Sequence, residues 1–303
     1  MPEVLPAFDP WTFRAHPDVW VLMAGLAAMY HWSITRLAPR VLPAGTPVTG
    51  PRQRLYFWSG LIIMWLASDW PLHDLADSSL YSAHMVQHLA LTFVAPPLLL
   101  AGMPRWLATE VLSAAGLARV TKILGRAIPA AVIFNLVQGI SHSPGFVDLT
   151  VESAVFHFGA HVLFVATALL MWMPVVGPFP ELRLQPITAM LYLFLQSIIP
   201  TVPASWLTFA EQPLYQSYIE LPKAFGLDAL RDQQAAGLIM KLGGGFYLWG
   251  WITVLFFRWA GDHDRTMGST YRRTPGTPPS GDDAEASDGE ASDDAVVAGA
   301  SFA

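Results

Sequence analysis

Apolar stretches of roughly twenty residues alternate with short polar ones from the N-terminus to about residue 260. That length is what a helix needs to cross the hydrocarbon core of a bilayer. About seven such segments are predicted, near 18–38, 54–70, 82–101, 123–142, 153–173, 186–206 and 234–259. The stretch 104–120 is amphipathic and interrupted by charge, so it is expected to lie along the interface. Residues 207–232 read as a long polar and aromatic loop with room for one short helix. Pro96 and Pro97 are expected to kink the third segment, and Gly243, Gly244 and Gly245 to let another helix approach the seventh. No internal repeat is visible.

Charge turns this pattern into a topology. Arg36, Arg40, Arg52 and Arg54 fall between segments one and two, and Arg105, Arg119, Lys122 and Arg126 between three and four. Arg183 falls between five and six, while Arg258, Arg265, Arg272 and Arg273 lie at or beyond the end of segment seven. Only Arg14, Lys223 and Arg231 fall on the other side, with Lys241 inside segment seven. Basic loops stay in the cytoplasm, so the N-terminus is expected outside and the C-terminus inside. The fold class is therefore all-α, a polytopic membrane helix bundle of about seven transmembrane helices, N-out and C-in. Residues 1–17 form an extracytoplasmic segment and 18–260 the transmembrane domain, with its outer loop at 207–232. Residues 261–303 are expected to form a disordered acidic cytoplasmic tail.

Composition agrees. The chain is 53% hydrophobic and 13% charged, against about 25% charged in soluble domains. The tail after Arg273 is rich in Ser, Pro, Gly, Asp and Ala, with seven acidic residues and no basic one. It cannot bury a core and is expected to be disordered. No cleavable signal peptide is read at the N-terminus, so the first span would be an uncleaved anchor. The chain has no cysteine, which removes disulfides, thiolate metal sites and covalent c-type haem attachment.

The candidate chemistry is histidine. Of nine histidines, His84 and His88 open segment three and His157 and His161 open segment five. His142 ends segment four and His73 follows segment two, so all six are predicted at the outer end. Ionisable groups in lipid are costly and point into the bundle. Residues four apart share a helix face, so each pair can aim two imidazoles at one point. Asn135, Gln138 and His142 form one polar stripe, and Met240 lies near the same depth. Asp232 or Asp69 is placed to orient a ligand imidazole. His31 reads as a hydrogen-bonding residue of the bundle; His16 and His263 read as solvent-exposed. Met85, Met171 and Met173 read as packing side chains.

Three chemistries suit such a layer. Imidazole with some thioether suits copper. Paired histidines can ligate haem, and a haem- or quinone-linked membrane electron carrier is the alternative, although an i, i+4 pair suits a compact ion better than a macrocycle. A proton relay would need carboxylates within the spans, and none is present. Nothing points to an enzyme: there is no nucleophile motif, phosphate loop or dinucleotide fingerprint, and no nucleic-acid surface. A metal-free scaffold remains the bland alternative.

The segment His84-Met85-Val86-Gln87-His88, followed by Ala95-Pro96-Pro97-Leu98-Leu99-Leu100-Ala101-Gly102-Met103-Pro104, resembles the polytopic CtaG family of caa3-type cytochrome c oxidase assembly factors. Ser141-His142-Ser143-Pro144, the His157/His161 pair and Asp232-Gln233-Gln234-Ala235-Ala236-Gly237-Leu238-Ile239-Met240 are similar to it too. The likeness covers roughly residues 18–260. It implies a multi-pass protein of the bacterial plasma membrane, surrounded by lipid, that partners cytochrome c oxidase subunits and supplies copper to them. The histidine layer, in a chain without cysteine, makes His84, His88, His157 and His161 the expected copper ligands, with His142 and Met240 secondary. Lys241 departs from the pattern, since a tryptophan commonly follows the Ile-Met pair in the family, and a lysine beside the site would oppose a cation.

Overall fold

A computed structural model describes residues 9–222 and 224–272, with side chains described to residue 265. The described residues are helical with no strand. In chain order the helices are α1 (Pro17–Trp32), α2 (Pro51–Ser68), α3 (Leu72–Ser78), α4 (Tyr81–Gly102), α5 (Arg105–Ala114), α6 (Ala118–Leu124) and α7 (Ala127–Ser141). There follow α8 (Pro144–Glu152), α9 (Ala154–Val176), α10 (Pro186–Thr208), α11 (Gln216–Glu220) and α12 (229–272). By its contacts the chain divides into residues 1–259 and 260–303. The first unit carries everything below. In the second, α12 continues to Arg272, past the boundary expected at 260, and the acidic tail lies outside the described residues.

Every predicted segment is helical, but not all are equally apolar. Four helices, α4, α9, α10 and the stretch Ala229–Arg265, are long and apolar enough to cross a bilayer by themselves. The fourth predicted segment starts later than expected. It is broken at Gly125 into α6 and α7, which meet at 86°, and the pair counts as a fifth span only if taken together. α1 runs on through a π turn at Ser33–Leu37 to Val41 but carries His31, Arg36 and Arg40 in its second half, and α2 begins Pro-Arg-Gln-Arg. Neither therefore matches the apolarity of the other four.

The exposed faces are those of helices in a multi-pass membrane protein. On α7, Ile128, Val132, Leu136 and Ile140 point outward at 78%, 51%, 59% and 60% exposure. The spacing of four makes them one ridge. Asn135 and His142 are turned the other way, with Asn135 donating to Gln196 on α10 at 2.5 Å. Apolar outside and polar inside is the arrangement lipid demands of a helix bundle.

α4 is the central helix, packed against α2, α9 and the start of α12. Its two prolines do not simply kink it. Pro96 lacks the N–H that would bond the carbonyl of Thr92 four residues back. The backbone widens to a π turn over Ala90–Val94 just before them, and Trp172 of α9 donates its indole N–H to the Thr92 carbonyl at 3.0 Å. Tertiary contact thus satisfies the group that proline frees. Below this point Gly102 lies against α2 so closely that a Cβ would sit 2.3 Å from the Phe57 nitrogen.

The glycine run at 243–245 does less than expected. Gly243 and Gly244 face only the Leu89 and Phe93 side chains, and Gly245 faces nothing within 4 Å. The close backbone approach comes earlier, at Gly237, where a Cβ would be 2.8 Å from the Ala204 carbonyl oxygen and 2.9 Å from the Thr208 nitrogen. That contact joins α12 to α10.

Candidate metal centre

The N-terminal turns of α4 and α9, the C-terminal end of α7 and the short helix α8 meet at one end of the bundle. His84, His88, His142, His157 and His161 all line one small cavity there, with Tyr81, Thr150 and Phe164. The i, i+4 pairs close on themselves. The rings of His84 and His88 are 4.2 Å apart and those of His157 and His161 4.6 Å. Across helices, His88 and His161 are 5.6 Å apart, and His84 lies 6.2 Å from both His157 and His161. Met240 is not in this cavity. It lines the neighbouring one, on the far side of His88 and His142.

Hydrogen bonds show which nitrogens are committed. Nδ1 of His142 donates to the Gln138 carbonyl at 2.6 Å, which leaves its Nε2 as the lone-pair nitrogen. His157 Nδ1 contacts the Asp77 carboxylate at 3.1 Å, so its Nε2 is the free one. That Nε2 faces the Nε2 of His161 at 2.7 Å. Two ring nitrogens at that distance must share a proton or a metal. His88 Nδ1 and Nε2, His84 Nδ1 and His142 Nε2 are buried without a hydrogen-bond partner. Buried polar groups are nearly always paired, so a group of orphaned imidazole nitrogens around one cavity is the arrangement a bound cation would satisfy. Among the described residues no three His, Asp or Glu side chains already converge as a cage. The closest approach is the His157/His161 pair.

The orienting carboxylate is neither of the two expected. Asp69 is taken up by the indoles of Trp20 and Trp65 at 2.7 and 2.8 Å and by its neighbour's backbone N–H. Asp232 accepts from the backbone N–H groups of Tyr81 at 2.7 Å and Ser82 at 3.0 Å. It caps α4 from a distant part of the chain, since the residue at the cap position, Leu80, has no side chain able to do so. Asp77 on α3 orients His157 instead. Gln233 and Gln234, read as the polar head of the seventh span, hold the outer loop through Leu214, Leu207 and Ala210. Tyr215 and Tyr218 of that loop are buried over Tyr81, and Tyr215 donates to the His142 carbonyl at 3.0 Å. The loop is a roof on the site.

Two further histidines extend the cluster. His73 stands 5.8 Å from His157, and Gln87 Nε2 lies 3.0 Å from its Nδ1. His16, expected in solvent, is half-buried, 5.0 Å from the His73 ring, with Nε2 3.1 Å from Asp74. The sequence hides this because α3 folds back beneath the start of α1. Lys241 is exposed and donates to the Thr201 hydroxyl, which holds its charge toward α10 while it lines the Met240 cavity.

Burial holds His73 below its ordinary value of 6.5, and His157 and His16 push it the same way against the pull of Asp77 and Asp74. Burial alone would raise the Asp77 carboxyl. The hydrogen bond and charge of His157, with His73 and His161, outweigh it and hold Asp77 below its ordinary 3.8. A group whose folded value is depressed stabilises the fold above its unfolded value, and that stability is lost as pH falls through the folded value. The metal-free protein is therefore expected to melt at a constant temperature above about pH 6.5, then earlier as acid charges His73. Melting of His73→Gln in detergent across that range should show a shallower decline. An equal decline would mean that His73 is not the group responsible.

No curated protein and no solved structure matches the chain. Residues 28–262 match the model of the cytochrome c oxidase caa3 assembly factor family, and on that match the chain belongs to this family.

Proposed function

We propose that this protein is a seven-span, N-out assembly factor that holds copper as cargo in its histidine cluster and supplies it to the oxidase. The observation that carries the reading is the set of orphaned nitrogens on His84, His88 and His142 around one cavity with the His157/His161 pair. Imidazoles are good copper ligands, and with no cysteine in the chain they are the main donors available. His84, His88, His157 and His161 would hold the ion. His142 borders it, and Met240 would offer a thioether from the adjoining cavity. Asp77 fixes the ring of His157, the usual role of a carboxylate behind a ligand histidine. The space between the rings is small, about 10 Å³, which favours a compact ion over a haem.

The distribution of basic loops supports an outward-facing site. The role is one of binding and transfer, with no chemical step assigned to the protein. In cells that depend on this factor, His84→Ala combined with His88→Ala should yield an oxidase depleted in copper and low in activity. Unchanged oxidase copper and activity, with the variant present in the membrane at normal level, would leave the metal-free scaffold as the better reading.

A further inference from the structure

A third cavity, of about 520 Å³, runs between α1, α2, α4 and α9 and shares His73, His157 and His161 with the histidine cluster. Its size is that of a small-molecule site. One end is polar, with Asp18, His73, Asp77 and Gln87. The rest is a channel walled by Leu22, Leu26, Val162 and Val165. Leu22 and Val162 are half-exposed on the outer face of the bundle, so the channel opens where lipid would lie.

The polar end asks for a particular head group. Gln87 is 1% exposed, and its amide nitrogen is used by the Ala67 carbonyl and His73. Its Oε1 is buried with no partner. Asp77 spends one oxygen on His157, and a carboxylate has acceptor capacity to spare. Acceptors therefore await hydroxyl donors. Asp18 and Asp77 both carry negative charge, which opposes an anionic phospholipid. Phe158 lines the groove with His73, His157 and His161, and aromatic side chains pack favourably against a ring.

We propose that this groove binds a membrane quinol, a neutral dihydroxy ring with one long apolar tail. The ring hydroxyls donate to Gln87 Oε1 and Asp77, and the tail runs between α1 and α9. The groove adjoins the histidine cluster through His73, His157 and His161, and quinol binding does not require copper.

The test uses full-length metal-free protein in detergent under anaerobic conditions, with decylubiquinol as probe and equilibrium dialysis as readout. Val162→Trp fills the channel from a half-exposed position that leaves the histidines untouched, so it is expected to fold. Gln87→Leu removes the acceptor. The wild type should bind about one quinol per chain, with affinity falling on the order of tenfold in each variant, one hydrogen bond or one blocked channel being worth roughly that much. Val162→Trp should keep the wild-type copper capacity. No binding above protein-free micelles, or equal binding by wild type and Val162→Trp, overturns the proposal. So does displacement of the quinol by neutral phospholipid at equal concentration. A wild type that binds quinol but no copper would overturn the copper reading alone.

Discussion

Asp232→Ala is expected to lower the melting temperature in detergent by roughly 10 °C and to weaken copper retention with it. The carboxylate is fully buried and accepts two backbone N–H bonds at the first turn of α4. Bonds to a charged acceptor are worth about 1.5–3 kcal/mol each, and negative charge at a helix N-terminus adds to them. Removing the carboxylate leaves two donors without partners, a loss on the order of 3–5 kcal/mol. In a chain of this size each kcal/mol moves the midpoint by about 2–4 °C. The same turn carries His84, so a frayed α4 also misplaces a ligand. Asp232→Asn keeps an acceptor oxygen and should fall between. An unchanged midpoint in Asp232→Ala would show that α4 does not depend on this cap.

His88→Leu is expected to separate stability from function. Both ring nitrogens of His88 are buried without partners, and the ring packs 4.6 Å from Phe164. A buried unsatisfied polar group costs about 1–3 kcal/mol, and an apolar side chain of similar size removes that cost. The metal-free variant should melt several degrees above the wild type while its copper retention falls sharply. Functional sites commonly carry this kind of instability. A variant that is less stable and still retains copper would mean that His88 is a packing residue with a partner yet to be found.

The helices were legible because a run of apolar residues needs no partner to declare itself. The two histidine pairs were legible for a related reason, since i, i+4 spacing fixes a shared face whatever the rest of the chain does. The partners of those histidines were not. His73 is placed at this end by its position after segment two, but Asp77 reaches the cluster from α3 and His16 from just before α1, and those positions depend on how short connecting segments fold back. Asp69 and Asp232 looked equally suitable by depth, yet one is claimed by two tryptophans and the other by the backbone of α4. Nor does a proline pair reveal that Trp172, far away in sequence, will satisfy the carbonyl it frees. Local pattern sets the elements, while tertiary hydrogen bonding decides which polar groups stay available for chemistry.

The most direct measurement is copper content by elemental analysis of the purified protein after Cu(I) loading and desalting, with the His84→Ala, His88→Ala double variant beside it. Copper retained by the wild type and lost from the variant is the predicted result. Absence of copper from the wild type, or equal copper in both, would contradict a metal site built on these histidines.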